Sequence, residues 1–230
     1  MKNVIQIRGT LVHSHAILDG DEVTLIDCGF LGNAAGRIEN ALQAGGRSLS
    51  DVSRIIITHG HIDHTLQVAH LKKVTGAKVY APLLDKAHIS GIYPYRGISR
   101  ICDGFEKLTR LLFRYQIPEV DHWFQDGDEL PIAGGLQVIG LPGHTMGHCG
   151  FYWEKGKMLF AADLFSNFRG KATLPPPWFN VDQEMVQVSL QKANQLDLSG
   201  GILLSHCHPG TPEEHRRDLA FLAKKYSRKN

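Results

Sequence analysis

The sequence lacks a CxxC pair and any disulfide-framework spacing. Its four cysteines, Cys28, Cys102, Cys149 and Cys207, are scattered along the chain, and buried or free thiols are the expectation. No apolar run approaches the ~20 residues that span a bilayer. The start, Met1-Lys2-Asn3-Val4-Ile5-Gln6-Ile7-Arg8, has neither a long apolar stretch nor a small-residue cleavage site, which argues against a signal peptide. A cytoplasmic protein with no membrane partner is therefore expected. Charge of one sign is also missing. The formal net charge is +2, and the one basic run, at 224–229, reads as a solvated helix end, so nucleic acid is not an expected partner. No repeat and no linker divides the 230 residues, and no feature fixes an oligomeric state. With 43% hydrophobic residues, a single domain over 1–230 with a sizeable core is expected.

What is present falls into two batches of strands, each followed by helices. Short aliphatic and β-branched runs at 4–7, 13–18 and 23–27, separated by Gly/Asp turns, read as strands. Residues 33–44 read as a helix, with Ala34, Ile38 and Ala41 on one face and Gly45-Gly46 as its stop. The run Arg54-Ile55-Ile56-Ile57-Thr58 reads as a strand buried on both faces, followed by a short helix at about 65–74 and a strand at 78–81. Residues 82–118 form a helical insertion, in which Ile101, Phe105, Leu108, Leu112 and Tyr115 recur at helical spacing. Strands follow at 136–141, 150–153 and 158–161. A Pro-rich loop at 170–180, a helix at 183–196 capped by Asp182, and a strand at 202–204 come next. Thr211-Pro212-Glu213-Glu214 is a capping box that opens a C-terminal helix. The order does not alternate cleanly enough for a doubly wound parallel sheet. Two packed sheets with helices outside are the better layered solution.

Chemistry concentrates at His59-Gly60-His61-Ile62-Asp63-His64, directly after a buried strand. A strand end fixes the backbone while a loop lets side chains converge, and zinc takes both imidazole nitrogen and carboxylate oxygen. Three other strands end in a ligand-type residue: His144 in a Pro-Gly turn, Asp163 after Phe160-Ala161-Ala162, and His206 after Leu203-Leu204-Ser205. Together these are five histidines and two aspartates, enough for two adjacent metal positions with an open coordination site.

The order HxHxDH, then PGHTxGH, then a strand-terminal Asp, then a strand-terminal His resembles the metallo-β-lactamase superfamily over almost the whole chain. The resemblance implies an α/β fold, a four-layer αββα sandwich with the metals at one edge. It implies that His59, His61 and His144 hold a first metal ion, that Asp63, His64 and His206 hold a second, and that Asp163 bridges both. His148 and Thr145 are expected to support these ligands. Two divalent ions, zinc first and iron or manganese as alternatives, would activate a water and polarise the attacked oxygen, with Asp63 or Asp163 shuttling the proton.

Three departures from the family pattern stand out. Thr65-Leu66-Gln67 replaces the glycines common after the cluster, Ala162 replaces a glycine before Asp163, and His208 and Cys207 lie beside His206. Of these two, His208 is the less favoured ligand and Cys207 reads as a bystander. The full ligand set is shared with glyoxalase II enzymes and lactonases, so a hydrolase of small-molecule esters, thioesters or lactones is expected. Tyr93 or Tyr95 are candidates beside the substrate carbonyl. The segment 82–118 and the aromatics Phe165, Phe168, Trp178 and Phe179 are expected to wall an apolar pocket. The alternatives are a phosphodiesterase, a mononuclear iron oxygenase of the persulfide-oxidising type using His59, His144 and Asp163, and a non-catalytic zinc-binding protein.

Overall fold

The computed structural model describes residues 3–93, 95–207 and 210–227. The chain divides into two compact units, one formed by Met1–Tyr93 and Gly104–Phe124, the other by Pro94–Asp103 and Gln125–Asn230.

The first unit is built on a six-stranded sheet. Strands β1 (Val4–Ile7), β2 (Ser14–Asp19) and β3 (Glu22–Ile26) form an antiparallel meander, and Asp19 pairs with Glu22 across a two-residue turn. Gly20 supplies the positive φ of 58° that such a turn requires. From β3 onward the sheet is parallel, through β4 (Val52–Ile56), β5 (Lys78–Pro82) and β6 (His122–Phe124). Helix α1 (Ala34–Ala44) connects β3 to β4, with the Asn33 side chain accepting the Gly36 N–H as its N-cap. Between β4 and β5 lie a single turn, α2 (Ile62–Thr65), and α3 (Val68–Thr75), which ends on Gly76 at φ 73°. A further turn, α4 (Lys86–Ile89), follows β5. The core joins Leu25, Ile55 and Val79 of the sheet to Ile38 and Leu42 of α1 and Leu71 of α3. Each such fully buried aliphatic side chain contributes about 1.5–3 kcal/mol.

The second unit carries a five-stranded sheet in the order β13-β10-β9-β8-β7. Its strands are β7 (Glu129–Leu130), β8 (Leu136–Gly140), β9 (Cys149–Trp153), β10 (Met158–Ala162) and β13 (Gly201–Leu204). A small hairpin, β11 (Ser166–Phe168) with β12 (Lys171–Thr173), stands apart from that sheet. Helix α6 (Gln183–Asn194) starts where Asp182 accepts the N–H groups of Glu184 and Met185. Helix α7 (Pro212–Lys225) starts with the Thr211/Glu214 capping box and Pro212 at its first position. Leu159, Ile202 and Leu204 pack with Leu190 of α6 and Leu219 and Leu222 of α7.

Four differences from the sequence reading matter for the site. The ligand cluster is not loop throughout, because a helical turn already begins at Ile62 and carries Asp63 and His64. Strands β6, β7, β11 and β12 are too short to show a period. Phe165 is fully buried in the core of the second unit and walls no pocket, whereas Phe168, Trp178 and Phe179 are exposed. Within the helical insertion the long helix is α5 (Arg100–Leu112), and its apolar repeat Ile101, Phe105, Leu108 and Leu112 faces outward while Glu106 and Thr109 are buried.

Candidate metal centre

In a parallel sheet, all strands end along the same edge, and the loops leaving that edge can converge. In the first unit, β3 delivers Asp27 to this edge and β4 delivers the segment from Thr58 to His64. Asp27 stands in the left-handed region at φ 56°, which acidic and amide side chains tolerate better than most. Its Oδ1 accepts the Thr58 N–H at 2.9 Å, and its Oδ2 accepts the Thr58 hydroxyl at 2.8 Å and His64 Nδ1–H at 2.7 Å. With its proton given to Asp27, the Thr58 oxygen accepts from His59 Nδ1 at 3.0 Å. These bonds fix the tautomers of both imidazoles, leaving Nε2 of His59 and of His64 as the lone-pair nitrogen. Such outer partners orient metal-binding histidines.

His59 Nε2 lies 3.1 Å from His61 Nδ1. Two ligands on one tetrahedral ion at ~2.0–2.1 Å stand about 3.3 Å apart, so this separation fits a shared ion. Asp63 Oδ2 and His64 Nε2 are 3.8 Å apart, within the spread of neighbouring ligand atoms.

The backbone carrying these side chains is clamped. Gly60 N–H donates to Asp85 Oδ2 at 2.7 Å, and a Cβ at Gly60 would stand 2.8 Å from His88 Cβ, so only glycine fits. Ile62 N–H donates to Glu106 Oε1 at 3.2 Å. Arg110 donates to the carbonyls of Gly60, His88 and Ile89, lies 3.4 Å from Glu106 Oε2, and stacks 3.9 Å over the Tyr115 ring. Burial raises the Glu106 carboxyl to about 7, against the lowering effect of Arg110. Thr65, one of the departures from the family pattern, closes the turn by donating its hydroxyl to His61 O at 3.0 Å, and Gln67 reaches back to Phe30 O at 3.1 Å.

In the second unit, His144, Asp163 and His206 follow β8, β10 and β13. The Asp163 Oδ2 lies 3.4 Å from His144 Nε2 and 3.0 Å from His206 Nε2, so one carboxylate gathers two imidazoles at ligand-edge spacing. His144 Nδ1 donates to Asn180 Oδ1 at 2.8 Å. The Asn180 amide donates in turn to Pro175 O at 3.0 Å, which settles which end of the amide faces the ring. The turn before His144 passes so close to α6 that a Cβ on Gly143 would stand 2.4 Å from the Val186 nitrogen, and its φ of 125° is likewise open only to glycine. His148 ties two strand ends together, donating from Nδ1 to Leu141 O at 2.8 Å and accepting the Asp163 N–H on Nε2 at 3.2 Å. Ala162 takes φ 46°, and the β10–β13 register slips between Phe160 and Ala162. This bulge re-aims the next residue, Asp163, and explains why glycine suits this position.

The seven expected ligands thus fall as four in the first unit and three in the second. Cys207 is buried in the second core with its thiol toward Leu204 O at 3.8 Å. His208 lies outside the described residues. Tyr95 is buried, and Tyr93 packs edge-on against His88, with ring centroids 4.9 Å apart. The sequence reading missed Asp27, Thr58, Asn180, Glu106 and Arg110. Asp27, an acid directly after an apolar strand, had the same signature as Asp163. The donor chemistry of the site, buried imidazole and carboxylate held by oxygen partners, suits divalent cations.

A family model described as the metallo-beta-lactamase superfamily matches residues 7–199. A probable metallo-hydrolase, YflN, of Bacillus subtilis (strain 168) is 26% identical over 218 residues, covering 88% of this chain and 82% of that protein. The hydroxyacylglutathione hydrolase GloC of Haemophilus influenzae is 29% identical over 129 residues, covering 53% of this chain and 54% of its own length. The match therefore spans about half of that hydrolase. Among solved structures, a metallo-beta-lactamase family protein from Thermus thermophilus aligns with TM-score 0.73 at 21% identity, covering 98% of this chain and 80% of that one. A protein crystallised in a di-iron-bound form aligns with TM-score 0.69 at 24% identity, covering 94% of this chain and 98% of its own. These likenesses bear out the α/β fold class expected from the sequence.

Proposed function

The chain belongs to the metallo-β-lactamase superfamily, and from that premise we propose that it is a dinuclear metal-dependent hydrolase acting on the carbonyl of a small-molecule ester, thioester or lactone. The observation that carries this reading is the pair of ligand sets whose ring nitrogens are oriented from behind: His59 and His64 through Thr58 and Asp27, and His144 through Asn180. In this reading His59, His61 and His144 hold one ion, Asp63, His64 and His206 the other, and Asp163 both. Two divalent ions, zinc first and iron or manganese by the same donor chemistry, supply a water of lowered pKa and a Lewis acid for the attacked oxygen. The family resemblance and the hydrolase names of the relatives support an acyl substrate.

The chain's own residues do the remaining work. Asp27, Thr58 and Asn180 hold three imidazoles in one tautomer. His148 fixes the backbone of Asp163. Asp63, whose side chain is 26% exposed beside buried His64, is reachable by solvent and suited to carry a proton toward the leaving group. We place the protein in the cytoplasm with a small-molecule substrate and neither nucleic acid nor membrane as partner; no helix among the described residues is long and apolar enough to cross a membrane.

Iron has one specific observation in its favour, the di-iron form of a structural neighbour. The deciding experiment is metal analysis of the purified protein joined to a panel of thioester, lactone, phosphodiester and β-lactam substrates, with and without chelator. About two metal ions per chain and chelator-sensitive hydrolysis of thioesters or lactones are expected. Less than one metal ion per chain, or turnover of bis-(p-nitrophenyl) phosphate alone, would overturn the proposal.

A further inference from the structure

An open cavity of about 300 Å³ lies within the first unit, among the segments that follow β3, α2 and α5. Its size is at the lower end for small-molecule sites. Phe30 and Phe113 give it an apolar wall, with ring centroids 5.5 Å apart at 69°, the edge-to-face arrangement that aromatic pairs prefer. Leu66 and Gln67 give it another, and both belong to the stretch that departs from the family pattern. Glycines there would remove that wall and the Gln67 bond to Phe30 O at 3.1 Å, which ties the two sides together. The same stretch follows directly on α2, which carries Asp63 and His64, and Leu66 N–H closes that turn on Ile62 O at 2.8 Å. The cavity is thus built onto the ligand turn.

Its polar lining has one sign. Arg114 carries the one permanent charge, His70 stands near it in the lining, and none of the described lining residues is acidic. Neither the Arg114 guanidinium nor the His70 ring has a hydrogen-bond or ion-pair partner among the described residues. Arg114 also sits where arginine is a poor choice. Tyr115 N–H donates to Arg110 O at 2.9 Å and Arg114 N–H to Leu111 O at 3.3 Å, the double closure that ends a helix on a left-handed residue. Arg114 is that residue, at φ 50°. Glycine is the usual occupant, because any other side chain crowds the following carbonyl. A long cation held in a strained conformation, unpaired and at the wall of a cavity, points to a ligand.

We propose that this cavity binds the carboxylate of a small molecule with an apolar body. Arg114 takes the carboxylate in a two-pronged ion pair, His70 lends a ring N–H, and the body lies against Phe30, Leu66 and Phe113. Two sources share this chemistry: a free organic acid, and an acidic group on the hydrolysed substrate, the second resting on the hydrolase reading above. The probes are phenylacetate and its neutral amide, phenylacetamide, titrated into the full chain and followed by calorimetry and by the amide shifts of Phe30, Gln67 and Arg114. Phenylacetate is expected to bind roughly tenfold or more tightly than phenylacetamide, as for a charge-assisted pair. Arg114→Gly weakens phenylacetate roughly tenfold or more, while its melting temperature equals or exceeds that of the wild type, because glycine suits the left-handed position. A merely structural arginine would not move binding and stability in opposite directions. Absence of phenylacetate binding overturns the proposal, as does equal binding of the amide. An affinity that Arg114→Gly leaves unchanged also overturns it and assigns the acid to the metal ions. A thioester bearing a terminal carboxylate, compared with its carboxamide counterpart, separates the two sources. A KM that Arg114→Gly raises for the carboxylate relative to the carboxamide assigns the group to the substrate. An unchanged KM ratio with weakened phenylacetate binding assigns the cavity to a separate acid. The binding arm needs no turnover, so a failure of the hydrolase reading leaves it standing.

Discussion

The Asp27 carboxylate receives His64 Nδ1–H at 2.7 Å, with both groups fully buried. The same carboxylate holds the Thr58 hydroxyl that orients His59, so one acid sets two imidazoles. Asp27→Asn keeps the size and tolerates the left-handed backbone at φ 56°. It removes the charge and cannot accept from both partners on two equivalent oxygens. We expect metal affinity to fall about 10–100-fold with the fold retained, measured by competition against a chromophoric chelator and by circular dichroism. Unchanged affinity would remove Asp27 from the account of the site.

That role was hidden in the sequence because it is created by pairing at long range. Asp27 lies 37 residues from His64, and Asn180 lies 36 from His144. The ligands themselves were legible because four of them crowd into six positions and the other three each follow an apolar strand. For α5 the helical period was legible but its direction was not. Periodicity shows that a face exists without showing which side is buried, and here the stripe of Glu106 and Thr109 goes inside, held by Ile62 N–H and Arg110. Ala162 shows the converse: a residue that departs from the family's glycine still takes the glycine-like conformation at φ 46°.

That conformation leads to a second prediction. Holding a non-glycine residue in the left-handed region costs about 1–2 kcal/mol, and glycine's greater freedom in the unfolded chain returns about 0.5–1 kcal/mol of that difference. Ala162→Gly is therefore expected to stabilise the protein by about 0–1.5 kcal/mol, each kcal/mol being worth roughly 2–4 °C in Tm for a chain of this size. Ala162→Val, β-branched at the same φ, is expected to lower it. Differential scanning calorimetry decides, and a lower Tm for the glycine variant would show that the bulge is not strained.

The Glu106–Arg110 pair gives a third. Arg110 donates to three carbonyls, those of Gly60, His88 and Ile89, besides facing Glu106. Arg110→Met keeps the length and leaves these acceptors without their donor, at a cost of about 2–4 kcal/mol by the rule for a buried pair broken on one side. Glu106→Gln keeps an oxygen for the Ile62 N–H and should cost about 1 kcal/mol. Urea unfolding of the metal-free protein measures both without interference from ligand binding. Equal, small losses would mean that α5 does not brace the ligand turn.

The last prediction concerns pH. His215 is buried in α7 with Nδ1 donating to Ile202 O at 3.2 Å, and burial lowers its pKa from the ordinary 6.5, opposed by that hydrogen bond and by Asp218 and Glu214. A depressed folded-state value means that the unfolded chain takes up the proton first. The stability that neutral His215 contributes is thus complete above pH ~6.5 and is lost as the pH falls from there through the lowered folded value, at up to about 1.4 kcal/mol per pH unit. His215→Gln keeps a donor for the Ile202 carbonyl and does not titrate. The difference in unfolding free energy between wild type and variant should therefore shrink steadily below pH ~6.5. Because both proteins carry the same metal ligands, loss of metal in acid cancels in that difference. Two unfolding curves that stay parallel from pH ~7 to ~5 would show that His215 is not held neutral by its burial.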